Sequence, residues 1–375
     1  MRLTLTSFIL YSYTKYSFCL ILICLVACSG SAEESDYGTG TGESEAGDSV
    51  EISLSHLDSM YLDPGDHLIG RFRERLHVHD EVLLFVENSN QQVWAFDHAG
   101  TLKYIIGGRG RGPEEFMNIS GVFVDDKERV VITDETQNMV KVFDIDGQFL
   151  KSFSLFDHEE LFISSRDIHV HDDILYLQIA EAEHLDDLQR SRLIARYDLS
   201  GEFIDFIGWY DPSIADSFHY LSGHNFAVDH ENDLLISNLE TTYLLQIHST
   251  KDSTVYEYFG EIPPFWKAPE EEIDPFWSRQ QIMDKTVGNS YSKGIFVTND
   301  YILVHSQKTS EEWYETSDYM EKPNFLTVYD RESKAYVGSI SIPGVLTFLH
   351  DDVLYMIEDF HPDQFQIGMY QLNVN

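Results

Sequence analysis

Between Tyr104 and Phe153 the chain alternates short apolar runs with clusters of turn-forming residues. Phe123-Val124 stops at Asp125-Asp126-Lys127-Glu128, and Val130-Val131-Ile132 stops at Asp134-Glu135-Thr136-Gln137-Asn138. Val140 to Phe143 ends at Asp144-Ile145-Asp146-Gly147, and Phe149 to Phe153 closes the set. β-Branched and aromatic residues bounded by Asp, Asn and Gly predict a four-stranded antiparallel meander. One such sheet cannot bury both of its faces alone, so it needs copies of itself to pack against.

The copies are present. Upstream, the pattern recurs as Leu76-His77-Val78, Val82 to Val86, Val93 to Asp97 and Thr101 to Ile106, where Asp97-His98-Ala99-Gly100 matches Asp144-Ile145-Asp146-Gly147. Downstream it recurs as Asp167 to Val170, Ile174 to Ile179, Arg192 to Asp198 and Glu202 to Ile207, with Asp198-Leu199-Ser200-Gly201 as the turn. Asn225 to Val228, Leu234 to Ser237, Tyr243 to His248 and Val255 to Phe259 make a fourth unit. Ile295 to Thr298, Tyr301 to His305, Phe325 to Asp330 and Ala335 to Ile340 make a fifth. The last unit, Leu346 to Leu349, Val353 to Ile357 and Gln366 to Leu372, has only three strands. Its outer strand is expected from the other end of the domain, at Val50 to Leu54 or Met60 to Leu62, because pairing the chain ends removes exposed edges. The expected fold is all-β: a six-bladed β-propeller of four-stranded antiparallel blades over residues 50–375, closed by N- and C-terminal strands. Long joins around 261–290 leave five or seven blades as alternatives.

One segment carries a family likeness. Ile106-Gly107-Gly108-Arg109-Gly110-Arg111-Gly112-Pro113-Glu114-Glu115-Phe116, with the D-x-x-G turns, resembles the NHL-type six-bladed β-propellers and in particular their lipoprotein branch. The family loop typically reads IG-x-x-G-x-GPGEF, and Glu114 stands where that pattern has its second glycine. The likeness spans nearly everything after residue 49, but its sharp motif occurs once. It implies the fold and leaves the activity open, since propellers host many unrelated functions.

Charge and cysteine placement narrow the setting. Sixty-four Asp and Glu against 25 Lys and Arg give the 375 residues a formal charge of −39. Such a balance argues against nucleic acid or an anionic membrane surface as partner and fits a solvated surface. All three cysteines, Cys19, Cys24 and Cys28, fall in the first 28 residues, so the remaining chain must fold on packing without disulfides. There, Arg2 and Lys15 precede an apolar run from Tyr16 to Ala27 that suits a signal-peptide core. Leu25-Val26-Ala27-Cys28 resembles the lipobox of bacterial lipoproteins, which implies cleavage after residue 27 and lipid chains on Cys28; an uncleaved anchor helix is the alternative. Residues 28–49 then read as a lipidated cysteine and a disordered Gly, Ser and acid tether. The expected location is exported and membrane-anchored, at the outer membrane, on its periplasmic or surface side.

Meander order decides which loops share a face. The joins between units and the turns between second and third strands fall on one side, and the remaining turns fall on the other. The second side is tight, with DDKER, HEND, DIDG and DLSG. The first carries RGRGPEEF and the long stretches 180–191, 260–290 and 307–323, and function concentrates on such loops above a rigid scaffold. Trp266, Trp277, Trp313 and Tyr314, with Phe265 and Phe276, read either as a platform for sugar rings or peptide or as a satellite core. Arg109 and Arg111 read either as guanidinium forks for an anionic ligand or as partners of neighbouring acids, including Glu114 or Glu115, that fix the blade junction. The glycine-rich loop is no phosphate cradle, lacking both the lysine and a following helix.

Histidine pairs at i, i+2, namely His77/His79 and His169/His171, share a strand face that a metal can use. Relatives implied by the likeness, the peptidyl-amidating lyases and lactonase-like propellers, hold metal in the central channel. Turn aspartates such as Asp125-Asp126, Asp172-Asp173 and Asp351-Asp352 suit either calcium or their own backbone. Surface or core histidines and turn-forming aspartates are the expectation, with no cofactor and with Ca2+ or Zn2+ as the alternative. The favoured function is a glycan- or peptide-binding module at the cell envelope. Alternatives are a metal- or carboxylate-dependent lyase or hydrolase at the channel, and a protein–protein scaffold.

Overall fold

The computed structural model describes residues 40–43, 49–67, 69–70, 72–79, 82–155, 161–181, 192–209, 224–252, 255–269, 277–361 and 364–375. The expected signal peptide, Cys28, Phe276 and most of the 180–191 loop lie outside these residues. Two strands come first, β1 (Gly40–Glu43) and β2 (Ser49–Leu62). Blade one follows as β3 (Phe72–His79), β4 (Val82–Glu87), β5 (Gln92–Phe96) and β6 (Leu102–Gly107). Blade two is β7 (Ile119–Val124), β8 (Arg129–Asp134), β9 (Met139–Asp144) and β10 (Phe149–Ser154). Blade three is β11 (Leu161–His171), β12 (Ile174–Glu181), β13 (Arg192–Asp198) and β14 (Phe203–Trp209). Blade four is β15 (His224–Asp229), β16 (Leu234–Leu239), β17 (Leu245–Ser249) and β18 (Val255–Phe259). Blade five is β19 (Ser290–Val297), β20 (Tyr301–Lys308), β21 (Asn324–Asp330) and β22 (Tyr336–Ile342). The sixth begins with β23 (Val345–His350), β24 (Val353–His361) and β25 (Gln364–Val374).

The sixth blade is completed by β2, which pairs antiparallel with β25 from Ile52 opposite Val374 to Leu62 opposite Phe365. Both expected closing segments lie on this one strand, joined across a register shift between His56 and Asp58. Four residues of the stretch expected as tether form β1, a fifth strand running from Gly40 opposite Ile52 to Glu43 opposite Ser49. Backbone pairing onto an open edge asks for no apolar side chains, so a Gly-Thr-Gly-Glu segment can do it.

Burial follows position within each blade. β4 is buried at all six residues and β8 at five of six, because a neighbouring blade covers each face. The outer strand β10 is half-buried or exposed throughout. Between blades two and three, Val131, Val140 and Val142 pack on Val170, Leu175 and Leu177, and equivalent clusters fill the other junctions. Each side chain removed from water in this way stabilises by roughly 1.5–3 kcal/mol, which replaces the missing disulfides.

The tight turns use Asp chemistry. Asp97 Oδ1 accepts from the backbone N–H of Ala99 and Thr101, each at 2.9 Å. Asp144 caps Asp146 and Gln148 in the same way, and Asp198 caps Ser200 and Glu202. Asp172-Asp173 and Asp351-Asp352 hold positive φ at both residues, between 48° and 65°, the geometry a two-residue hairpin demands. These aspartates are turn formers. The loop face adds two short helices within stretches read as loop, α1 (Arg279–Thr286) and α2 (Glu311–Thr316), followed by a 3-10 turn at Tyr319–Glu321. Ser278 and Ser310 start them by accepting from Gln281 N–H and Trp313 N–H.

Candidate functional site

The innermost strands β3, β7, β11, β15, β19 and β23 surround the axis and enclose about 630 Å3. Each runs from the loop face toward the tight-turn face, so its early residues line one mouth and its late residues the other. At the loop end the wall presents Asn88, Ser120, Asp167, Glu240, Lys293 and His305. Lys293 Nζ lies 3.6 Å from Glu240 Oε1. Bonds into the blades hold this polar end: Ser120 Oγ meets Thr133 Oγ1 at 2.8 Å, and the His305 ring donates to Asn324 Oδ1 at 2.9 Å. Behind Lys293, Asn238 Nδ2 donates to Ser292 Oγ at 3.0 Å. A polar mouth fixed by networked side chains can orient a ligand with little reorganisation.

The other end is apolar and ringed. Counting back two residues from each inner hairpin places His77, Phe123, His169, Ala227, Phe296 and Phe348 at equivalent positions. His77 packs between Phe348 at 4.3 Å and Phe123 at 4.5 Å, and Phe123 meets His169 at 4.7 Å. Burial holds the His77 ring neutral, its pKa lowered to about 3, with Nε2–H donating to Val124 O at 3.2 Å. Burial and then His230 lower His169 as well.

The pair His169/His171 does share a face, and both reach His230. One ring nitrogen of His169 and one of His230 form a single hydrogen bond at 2.5 Å, and His171 stacks on His230 at 3.6 Å between centroids. His169 and His230 each spend a nitrogen on the other, His171 Nε2 lies 3.5 Å from Asp172 Oδ2, and the rings lie flat together, so the arrangement does not converge on a cation. Among the described residues, no group of three or more His, Cys, Asp or Glu is arranged to hold a metal.

The glycine-rich loop proves to be a joint between blades one and two. Phe116 is fully buried, and a Cβ at Gly107, where φ is +82°, would lie 2.4 Å from its ring. Phe116 N–H donates to Gly108 O at 2.8 Å, and Gly110 N–H returns to Phe116 O at 3.0 Å. Lys141, buried in the next blade, places its ammonium 4.8 Å over the Phe116 ring and donates to the carbonyls of Gly112 and Glu115. Asp134 accepts from Met117 N–H at 2.7 Å. Glu114 is exposed and does none of this, which explains why glycine is not required there. Arg109 and Arg111 project from the joint into solvent; neither makes an ion pair among the described residues, and Arg109 reaches only Ser89 O at 3.5 Å. Glu115 instead accepts from Gly112 N–H.

The aromatics divide into two groups on the loop face. Phe265 stacks on Phe325 at 4.1 Å and 9°, with Trp266 edge-on to Tyr243 at 5.6 Å beside it. Trp313 lies against Tyr314 at 4.4 Å, and the Lys322 ammonium sits 4.0 Å over Trp313 and 4.3 Å over Tyr319. Tyr314 OH meets Thr286 Oγ1 at 2.5 Å, tying α2 to α1. Trp277 precedes α1 and is half-buried. Thus Trp266, Trp313, Tyr314 and Trp277 stand on one face and are all partly packed. The channel-mouth residues Asn88, Ser120, Asp167, Glu240, Lys293 and His305 escaped sequence reasoning. Aligning the blades on their inner hairpins was the signal that would have found them.

Comparison with known proteins agrees with this architecture. The family DUF5128, described as a 6-bladed beta-propeller, matches residues 64–342. A member of the duf4221 family from Bacteroides vulgatus is similar at 12% identity over 86% of this chain and 99% of that one, with a TM-score of 0.65. A putative exported protein from Bacteroides fragilis is similar at 15% identity over 86% of this chain and 95% of that one, TM-score 0.53. A gluconolactonase from Xanthomonas campestris is similar at 12% identity over 93% and 100%, TM-score 0.50. At these identities the likeness is one of fold alone. No curated protein matches the chain.

Proposed function

The chain belongs to the 6-bladed beta-propeller family, and from that premise we propose that it is an exported, lipid-anchored binding module that captures a glycan or peptide at the cell envelope. The observation that carries the reading is the axial cavity of about 630 Å3, polar at the loop end and closed in by aromatic rings toward the other. Its size is that of a ligand site, and its few placed polar groups above apolar walls are what such sites use for orientation. The proposed contact rim adds Arg109, Arg111, Trp266, Trp277, Trp313 and Tyr314, which share that face. The anchor rests on Leu25-Val26-Ala27-Cys28, and several acyl chains at about 0.8 kcal/mol per CH2 hold a protein firmly to a bilayer.

A thermal-shift panel of oligosaccharides, peptides, Ca2+, Zn2+ and EDTA tests the binding reading. A ligand at about 100 times its Kd adds roughly 2.7 kcal/mol, enough to raise the melt by a few degrees at most in a domain this large. A sugar or peptide that raises the melt without metal supports capture. A melt lowered by EDTA replaces it with the metal-dependent enzyme, and silence across the panel replaces it with the scaffold. Cys28→Ser should move the protein from the membrane fraction to the soluble one; unchanged fractionation removes the anchor.

A further inference from the structure

We infer that Lys308, set beside the stacked rings of Phe265 and Phe325, and Lys267, joined to its strand through Ser290, form a subsite for the carboxylate of an acidic sugar, so that the captured glycan is a uronate-bearing one. The inference rests on the binding reading above and names its ligand class. Lys308 ends β20, and its ammonium lies 5.9 Å from the centroid of Phe265 and 5.5 Å from that of Phe325. Neither lysine makes an ion pair among the described residues, although the chain carries 64 acids. On the tight-turn face, by contrast, Lys127, Arg129, Lys251 and Arg331 are all matched to carboxylates.

The backbones of the two lysines are tied together. Lys267 N–H donates to Ser290 Oγ at 3.0 Å and Lys267 O accepts from Ser290 N–H at 2.7 Å, while Ser290 sits directly opposite Lys308 in the sheet. Burial and then the Lys267 charge make the Lys308 ammonium easier to deprotonate. The two ammonium charges repel, neither has a counter-charge among the described residues, and an anion placed between them relieves that repulsion.

The ring plane argues for a sugar over a peptide. Flat, half-buried Phe faces suit the C–H side of a pyranose, and the aromatic group gives area at low entropic cost. A peptide captured by strand addition would need a free sheet edge, and the outer strand of this blade, β22, lies against β1 and β2.

The test is calorimetric titration of the full chain in detergent with trigalacturonate, galactotriose and a triglutamate peptide, alongside Lys308→Met and Lys267→Met. Trigalacturonate should bind, more weakly at high salt, and each variant should lose about tenfold or more with the melting temperature kept. Equal binding of trigalacturonate and galactotriose, indifferent to both variants, overturns the carboxylate subsite and leaves the binding module standing. Preference for triglutamate overturns the sugar assignment. Absence of binding by all three probes, with an equally silent wider panel of sugars and peptides, overturns both readings together.

Discussion

The two faces of the ring are built from the same strands yet settle their charges in opposite ways. On the tight-turn face, charged groups are spent on architecture. Arg129 joins Asp125 in its own turn to Asp173 of the next blade, and Arg331 reaches back from blade five to Asp229 and Glu231 of blade four. On the loop face, Arg109, Arg111, Lys267 and Lys308 stand without ion pairs among the described residues, and Lys308 lies beside the stacked Phe265 and Phe325. The channel repeats the contrast, with networked polar groups at the loop mouth and neutral imidazoles among phenyl rings deeper in. The tight-turn face therefore spends its charges in holding the blades together, whereas the loop face, apart from Lys293 on Glu240 and Lys141 in the joint, keeps these four cations available among the described residues.

The largest break in that comparison should come from acid. The ordinary histidine pKa is 6.5, and burial lowers His77 and His224 to about 3 and His169 well below its ordinary value. The unfolded chain thus binds protons that the fold refuses. Stability is fully present above pH 6.5, falls as the pH drops below it, and keeps falling toward the folded pKa values. At pH 5 His77 and His224 should each cost about 2 kcal/mol, and His169 adds a loss in the same direction. Urea midpoints compared at pH 7 and pH 5 check this. His77→Phe, which places at this position the residue that three other blades already use there, should flatten the slope. A midpoint unmoved between the two pH values would show that the rings already accept protons in the fold.

A second break lies on the loop face itself, where the pinned joint is the exception to availability. Phe116→Ala should destabilise by about 3–5 kcal/mol, as large buried aromatics do when truncated. The loss should appear as a lower unfolding midpoint, whereas Glu114→Gly should leave that midpoint in place. Equal midpoints for Phe116→Ala and the parent would demote the joint to an ordinary loop.

Blade count, strand order and ring closure were legible because each depends on local alternation and on Asp and Gly turns that carry their own mechanism. The motif around Phe116 was legible as a signature and as a blade junction, but its means were not: Gly107, Phe116 and Lys141, not the arginines, make the joint, and they acquire meaning only when two blades meet. For the same reason Arg109 and Arg111 drew notice as neighbours in a glycine-rich loop. Lys267 and Lys308 did not, since they come together only through the pairing at Ser290. Helices α1 and α2 were missed because their sequences have no apolar stripe long enough to mark a helical period. Histidine spacing correctly put His169 and His171 on one face, yet the third ring, His230, arrives from another blade's turn.

The finest test compares two single-charge deletions. Arg331 donates through Nε to Asp229 Oδ2 at 2.9 Å and through Nη2 to Oδ1 at 2.5 Å, and the Asp229 side chain has no exposed area. Burial alone would push the Asp229 carboxyl up, but Arg331 and Asn232 hold it below its ordinary value of 3.8. Its stability contribution is therefore present above about pH 4 and lost as pH falls through the lower folded value. Arg331→Met leaves that carboxylate with Asn232 alone and should cost about 2–3 kcal/mol near neutral pH. Lys308→Met removes the same unit of charge from the loop face. There it gives up a cation–π contact of about 0.5–1 kcal/mol and gains relief from Lys267 and from burial, so its midpoint should move by less than about 1 kcal/mol in either direction. Equal losses in the two variants would mean that Lys308 is architectural like Arg331, and the division of labour between the faces would fall with it.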